Sequence, residues 1–218
     1  MLNISCLHSA QSNIAVFEAA RRSLKLDRVM LKHRVRADLL AAAERAGRPT
    51  PEIIGQTVAE LVAVAEGADG VLLTCSTLGP AAPLAAAELA VPVLRVDEAL
   101  AAEAVSSGGV VIVLCAASTT IGPTRTIFET AAMATGAGIE IRLVQGAWDL
   151  FKAGRQQDYW QLIADAADAA TAEGAPTVAL AQASMAGAAA LAEHPPLTSP
   201  AAGLAAIVAA AQAAAKSP

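Results

Sequence analysis

Aromatic residues make up only 3% of this 218-residue chain, so its core is not built on large rings. Cysteine is scarce too: three residues, an odd number without paired spacing, argue against a disulfide framework and for reduced thiols. A cationic surface is missing. The formal net charge is −5, and Lys and Arg are scattered apart from Arg21-Arg22 and the stretch Lys32 to Arg36, which leaves nucleic acid out as a partner. Long hydrophobic runs are absent as well. Val110 to Cys115 is six residues, and the Ala-rich stretch Ala201 to Ala215 stops short of the roughly 20 residues that a membrane span requires. No basic leader precedes an apolar segment near Met1, so a soluble, cytoplasmic protein without a membrane partner is expected. Neither G-x-G-x-x-G nor a Walker-type Gly-Lys-Ser/Thr follows any strand-like run, leaving nucleotides without a motif. His33 and His194 lack a second ligand at metal spacing, and the expectation is no metal and no organic cofactor.

What the chain does have is apolar residues, 55% of the total and dominated by Ala, enough for a sizeable core of helices packed closely through small side chains. Strand-like runs lie at Asn3 to Leu7, Val29 to Val35, Gly70 to Thr74, Val93 to Val96, Val110 to Cys115, Glu140 to Val144 and Thr177 to Ala181. Helical periodicity falls between them, at Ser12 to Leu24, Ala37 to Ala46, Pro51 to Glu66, Pro80 to Ala90, Glu98 to Ser106, Pro123 to Gly136, Gln156 to Glu173, Ser184 to Glu193 and Ala201 to Ala215. Continuous apolar strands alternating with helices predict an α/β chain with parallel sheets covered on both faces.

The chain also resembles itself. At an offset of 107, Gly67 to Thr77 falls on Gly174 to Ser184, and at an offset of 111, Val16-Phe17-Glu18 falls on Ile127-Phe128-Glu129, setting His8 against Thr119 and Asn13 against Thr124. A duplication predicts two pseudo-symmetric, flavodoxin-like lobes, residues 1–96 with 198–218 and residues 97–197, facing each other across a ligand cleft. That cleft would collect the residues that follow the strands: His8-Ser9, Cys75-Ser76-Thr77, Ser118-Thr119-Thr120 and Gln182-Ala183-Ser184.

Cys75 ends a strand-like run and precedes Ser76-Thr77-Leu78-Gly79-Pro80, small polar residues and a proline that suit a turn opening a helix. Free cysteines are usually buried small hydrophobes, and Cys6 and Cys115, inside apolar strands, read that way. The strand-end position and polar turn favour an exposed thiol at Cys75, where a helix N-terminus would lower its pKa and hold a carboxylate.

Together, "HSAQSN", "VLLTCSTLGP", "ASTTIGPTR", "VALAQASMAGA" and "PPLTSP", in this order over nearly the whole chain, resemble the aspartate/glutamate/hydantoin racemase superfamily, which also includes arylmalonate decarboxylase and maleate isomerase. The resemblance implies two α/β lobes and a cleft in which two cysteines, one from each half, flank a carboxylate-bearing carbon. Carried across, the first cysteine is Cys75, and Gln182 stands at the second position. A two-base racemase needs a proton-exchanging group on each face of the carbon, and a glutamine amide cannot exchange protons near neutral pH. One thiol suits racemisation with a different second base, stereospecific isomerisation, decarboxylation, or addition to an activated double bond. The decarboxylase of this superfamily also uses a single cysteine, but in the second half, the reverse of this chain.

His8 or Ser9 is the nearest partner for Cys75 by sequence, and a histidine simply hydrogen-bonded at a strand end is the competing reading of His8. Ser76, Thr77, Thr119, Thr120 and Thr124 read as substrate-carboxylate contacts or as helix caps, since both use one geometry. Asn13, Gln182, Ala183 and Ser184 complete the expected substrate contacts. The expected substrate is a small carboxylate-bearing molecule, and the expected assembly a homodimer. The rival is a non-catalytic protein that binds small carboxylates on the same fold.

Overall fold

The apolar run that opens the chain forms β1 (Leu2–His8), which the computed structural model, describing residues 1–216, pairs in parallel with β2 (Val29–Val35) on one side and β3 (Gly70–Leu73) on the other. β4 (Val93–Arg95) joins the far edge of β3, giving the order β2-β1-β3-β4. Helix α1 (Asn13–Ser23) covers one face, where Glu18 reaches His33, and α3 (Pro51–Val64) covers the other, where Glu60 pairs with Arg34 and Arg36. Alternation along β2 therefore sends its basic residues to opposite faces. Helix α3 starts where its sequence says it should: Thr50 Oγ1 accepts from Ile53 N, and Pro51 sits at the first position. Two shorter helices, α2 (Ala37–Arg45) and α4 (Ala81–Ala86), lie along the connections. The last helix, α9 (Ser199–Ala214), rests on this sheet, with Ile207 so close to Gly70 that a Cβ there would lie 3.1 Å from its Cδ1.

The second sheet repeats the plan. β5 (Val110–Cys115) pairs with β6 (Gly138–Leu143) and β7 (Thr177–Leu180), and β8 (Leu197–Thr198) joins β7, giving β6-β5-β7-β8, all parallel. Helices α5 (Val96–Val105) and α6 (Ile121–Ala132) share a core around Leu100, Val113, Cys115 and Phe128. On the other face, α7 (Ala147–Lys152) and α8 (Gln156–Ala172) pack Tyr159 and Ile163 against Ile112, Leu114 and Leu180. The α/β class and the two parallel sheets expected from the sequence are present.

Register fixes the internal correspondence. Ile4 pairs with Gly70 and Val111 with Thr177, both at an offset of 107 residues. His8 O accepts from Arg36 N, and Cys115 O from Val144 N, each at 2.8 Å. The structural counterpart of His8 is thus Cys115 and not Thr119. Four extra residues enter after β5 as a 3-10 helix, Ser118–Thr120, and an early start of α6, which is why the offset becomes 111 at Phe17 and Phe128.

Other departures are local. The expected helix Ser184 to Glu193 is a 3-10 helix over Ala183–Ala190, and the helix expected from Pro80 to Ala90 spans only α4. Helix α7 and strand β8 carry too few residues for periodicity to show them. Because Thr198 pairs with Leu180, the chain passes back to the first compact unit at Pro200 and not at 198; the units are Met1–Val96 with the residues from Pro200 onward, and Asp97–Ser199. Residues 217 and 218 of the expected first lobe lie outside the described residues. Among the described residues no helix is long and apolar enough to cross a membrane.

Candidate active site

In the first unit the chain leaves β1 toward β2 and leaves β3 toward β4, so the connections diverge between two neighbouring strands. Open parallel sheets bind ligands at the carboxyl ends of such strands. Here those ends carry His8 and Ser9 on one strand and Thr74, Cys75, Ser76 and Thr77 on the other. Cys75 is buried, not exposed as its polar turn suggested. Helix α4, which follows this turn, has six residues and starts at Ala81.

His8 lies within a chain of hydrogen bonds. Its Nδ1 meets Thr74 Oγ1 at 2.8 Å, its Nε2 meets His33 Nδ1 at 2.8 Å, and His33 Nε2 meets Glu18 Oε1 at 3.3 Å. Burial, with His33 alongside, holds the His8 pKa down to about 3, so the ring is neutral. Both nitrogens meet protein groups, Thr74 on one side and His33 on the other.

Asn13 opens α1 behind the β1 end and is 4% exposed, yet its Oδ1 has no protein hydrogen-bond partner. In the second unit Thr124, its counterpart at offset 111, is 1% exposed, and its Oγ1 is likewise unpartnered. Buried polar atoms are nearly always satisfied; Ser199 Oγ is a third exception among the described residues, and the Asn13 and Thr124 oxygens are the two beside strand ends, where ligands bind.

The second unit's strand ends bring together Thr119, Thr120, Gln182 and Ala183. Gln182 lies two residues past β7, as Cys75 lies two past β3, and its Oε1 accepts from Ala116 N at 2.6 Å. Thr120 Oγ1 donates to Ala117 O at 2.6 Å, the capping alternative. Ser184 is drawn to α8: its Oγ meets Tyr159 Oη at 2.9 Å and its carbonyl accepts from Trp160 Nε1 at 2.9 Å. Cys115 is buried, and burial pushes its thiol up, in keeping with a structural role.

Four residues in the first unit escaped the sequence reading. Glu18, His33 and Thr74 join His8 only through strand pairing and helix docking. Arg95 ends β4, buried, with its guanidinium so close over Gly79 that a Cβ there would lie 2.2 Å from its Cζ. A lone cation closing an apolar strand was the signal for it. Cys6 stands directly opposite His33 in the sheet, so the ligand spacing missing along the chain is supplied across it.

Similar folds occur among solved structures. An aspartate racemase of Picrophilus torridus superposes with a TM-score of 0.75 at 13% identity, covering 97% of this chain and 95% of that one. A glutamate racemase of Bacillus anthracis gives 0.69 at 17% identity over 97% and 82% of the two chains, and an allantoin racemase of Klebsiella pneumoniae 0.68 at 18% over 96% and 87%. No curated protein sequence matches. The family model described as Asp/Glu/Hydantoin racemase matches residues 11–215, nearly the whole chain and everything after β1 and its His8-Ser9 end up to the last helix, and the chain belongs to that family.

Proposed function

We propose that this protein is an isomerase of racemase type that moves a proton at the carbon α to the carboxylate of a small acid, with Cys75 as acid and base. What supports the reading is the family match together with a thiol at the divergence of β1 and β3. The Cys75 thiolate takes the α-proton as the C–H electron pair passes into the carboxylate-stabilised carbanion; a proton returned on the opposite face by a second group inverts the carbon, and one returned by the Cys75 thiol itself retains its configuration. Asn13 and Thr124, with their unpartnered oxygens, and the hydroxyls of Ser9, Ser76, Thr77, Thr119 and Thr120 are assigned to the substrate's polar groups. The reading asks no step of a metal or organic cofactor.

Gln182 favours a second reading, decarboxylation followed by protonation from one face, because its amide neither accepts nor returns the second proton and its Oε1 is engaged by Ala116. Proton NMR in heavy water separates the two, with wild type and Cys75→Ala each given amino acids, hydantoins, substituted malonates and unsaturated diacids. Cys75-dependent deuterium uptake with inversion supports the racemase. Loss of carbon dioxide, or uptake without inversion, supports one-sided chemistry. Equal activity in Cys75→Ala refutes the role of the thiol, and no reaction across the panel favours a carboxylate-binding protein. Homodimerisation in the cytoplasm, where the three cysteines would stay reduced, is part of the same proposal; sedimentation at a single-chain mass of 21.9 kDa would refute the dimer.

A further inference from the structure

Cys6 and His8 alternate along β1 and so share a face, and the parallel register sets Cys6 opposite His33 on β2. The Cys6 sulfur and one ring nitrogen from each histidine all lie within 4.8 Å of one another, on the face covered by α1 and beneath the Phe17 ring, 5.3 Å from that of His8. The nitrogens that face inward are His8 Nε2 and His33 Nδ1. The two that face away are each met by an oxygen, Thr74 Oγ1 for His8 and Glu18 Oε1 for His33.

We propose that Cys6, His8 and His33 bind a zinc-class divalent cation, with Thr74 and Glu18 orienting the two imidazoles. One thiolate and two neutral imidazoles form a borderline-soft donor set that suits Zn²⁺ and rejects Mg²⁺ or Ca²⁺. Metal-bound histidines characteristically give their other nitrogen to a carboxylate, hydroxyl or carbonyl, the arrangement both rings already have. Three protein ligands leave the fourth position to water. The inference stands apart from the reaction at Cys75 and does not depend on it.

The protons balance. Thr74 donates its hydroxyl proton to Leu7 O, 3.1 Å away, which leaves its Oγ1 to accept from His8 Nδ1–H, the tautomer whose Nε2 lone pair faces inward. To ligate, the one hydrogen shared by His8 Nε2 and His33 Nδ1 leaves the contact for solvent. His33 keeps its proton on Glu18. The Cys6 thiol gives up its proton as well, so proton release accompanies binding. The inward nitrogens, now 2.8 Å apart, part by about 0.5 Å to reach tetrahedral spacing, a movement taken up at the edge strand β2.

The test is titration of the full chain with Co²⁺, then competition with Zn²⁺. One equivalent of Co²⁺ is expected to raise a thiolate-to-metal charge-transfer band and tetrahedral d–d bands. Zn²⁺ should abolish both, and the metal-free chain should release protons on taking up Zn²⁺ in weakly buffered solution. Cys6→Ser should lose the charge-transfer band, His33→Gln should weaken binding at least tenfold, and Glu18→Gln should weaken it by roughly 10- to 100-fold. Cys75→Ala should bind like wild type, and circular dichroism of each variant checks that it is folded. Absence of the bands in folded wild type would overturn the site. So would a band that survives Cys6→Ser and disappears in Cys75→Ala.

Discussion

Cys75 and Gln182 occupy the same place in two sheets of identical strand order, each two residues beyond the strand that follows the divergence. The backbone before them matches as well: Thr74 N donates to Leu7 O and Ala181 N to Leu114 O, each at 3.0 Å. Restoring a thiol is therefore a conservative change in position and a large one in chemistry. Gln182→Cys is expected to raise the rate of exchange with inversion by the order of 10²-fold, the low end of what a placed acid–base group supplies. Losing the bond to Ala116 N should cost about 1 kcal/mol of stability. Chiral analysis of a substrate incubated in heavy water checks the first effect, and urea unfolding the second.

Gly187 has no room for a methyl group. A Cβ there would lie 2.2 Å from Trp160 Cε2 and 2.5 Å from Cδ2 and Cζ2, a ring that cannot bend aside as a chain end can. Gly187→Ala should destabilise the chain by about 1–3 kcal/mol and break the bond from Trp160 Nε1 to Ser184 O. A red shift in tryptophan emission, in addition to an earlier urea midpoint, is the expected result.

Phe17 and Phe128, matched at offset 111, are both fully buried beneath their sheets. Phe17→Ala and Phe128→Ala should each cost about 3–5 kcal/mol. Only the first should also alter the His8 ring, which packs on Phe17, and the His8 proton resonances would show it.

Acid should destabilise the fold through His8. Its folded pKa is depressed to about 3 from an ordinary 6.5, so the unfolded chain takes up a proton that the folded chain refuses. The contribution is fully present above pH 6.5 and is lost as the pH falls toward 3. Urea midpoints measured across that window in the presence of a chelator should fall more steeply in wild type than in His8→Gln, by about one proton's worth of slope. Equal slopes would show that another group carries the effect.

Most of the fold could be read from the residues, since long apolar strands and Ala-rich helices announce themselves by period. Elements decided by pairing could not. Leu197–Thr198 becomes a strand only because Leu180 is beside it. The strand-end residues were legible for the same reason as the strands, but the burial of Cys75 was not, because burial is set by packing that the local sequence does not show. His33 showed nothing along the chain, and its meaning comes from Cys6 across the sheet and Glu18 above it.

Helix α5 follows the fourth strand of the first sheet but builds the core of the second, while α9 follows the fourth strand of the second and rests on the first. The repeat in the sequence and the folding body are thus out of phase by one helix, and each half lends its last segment to the other. Severed between Gly108 and Gly109, neither fragment would own a finished core. The duplication produced an exchange of parts, and through it two similar bodies became a single covalent obligation.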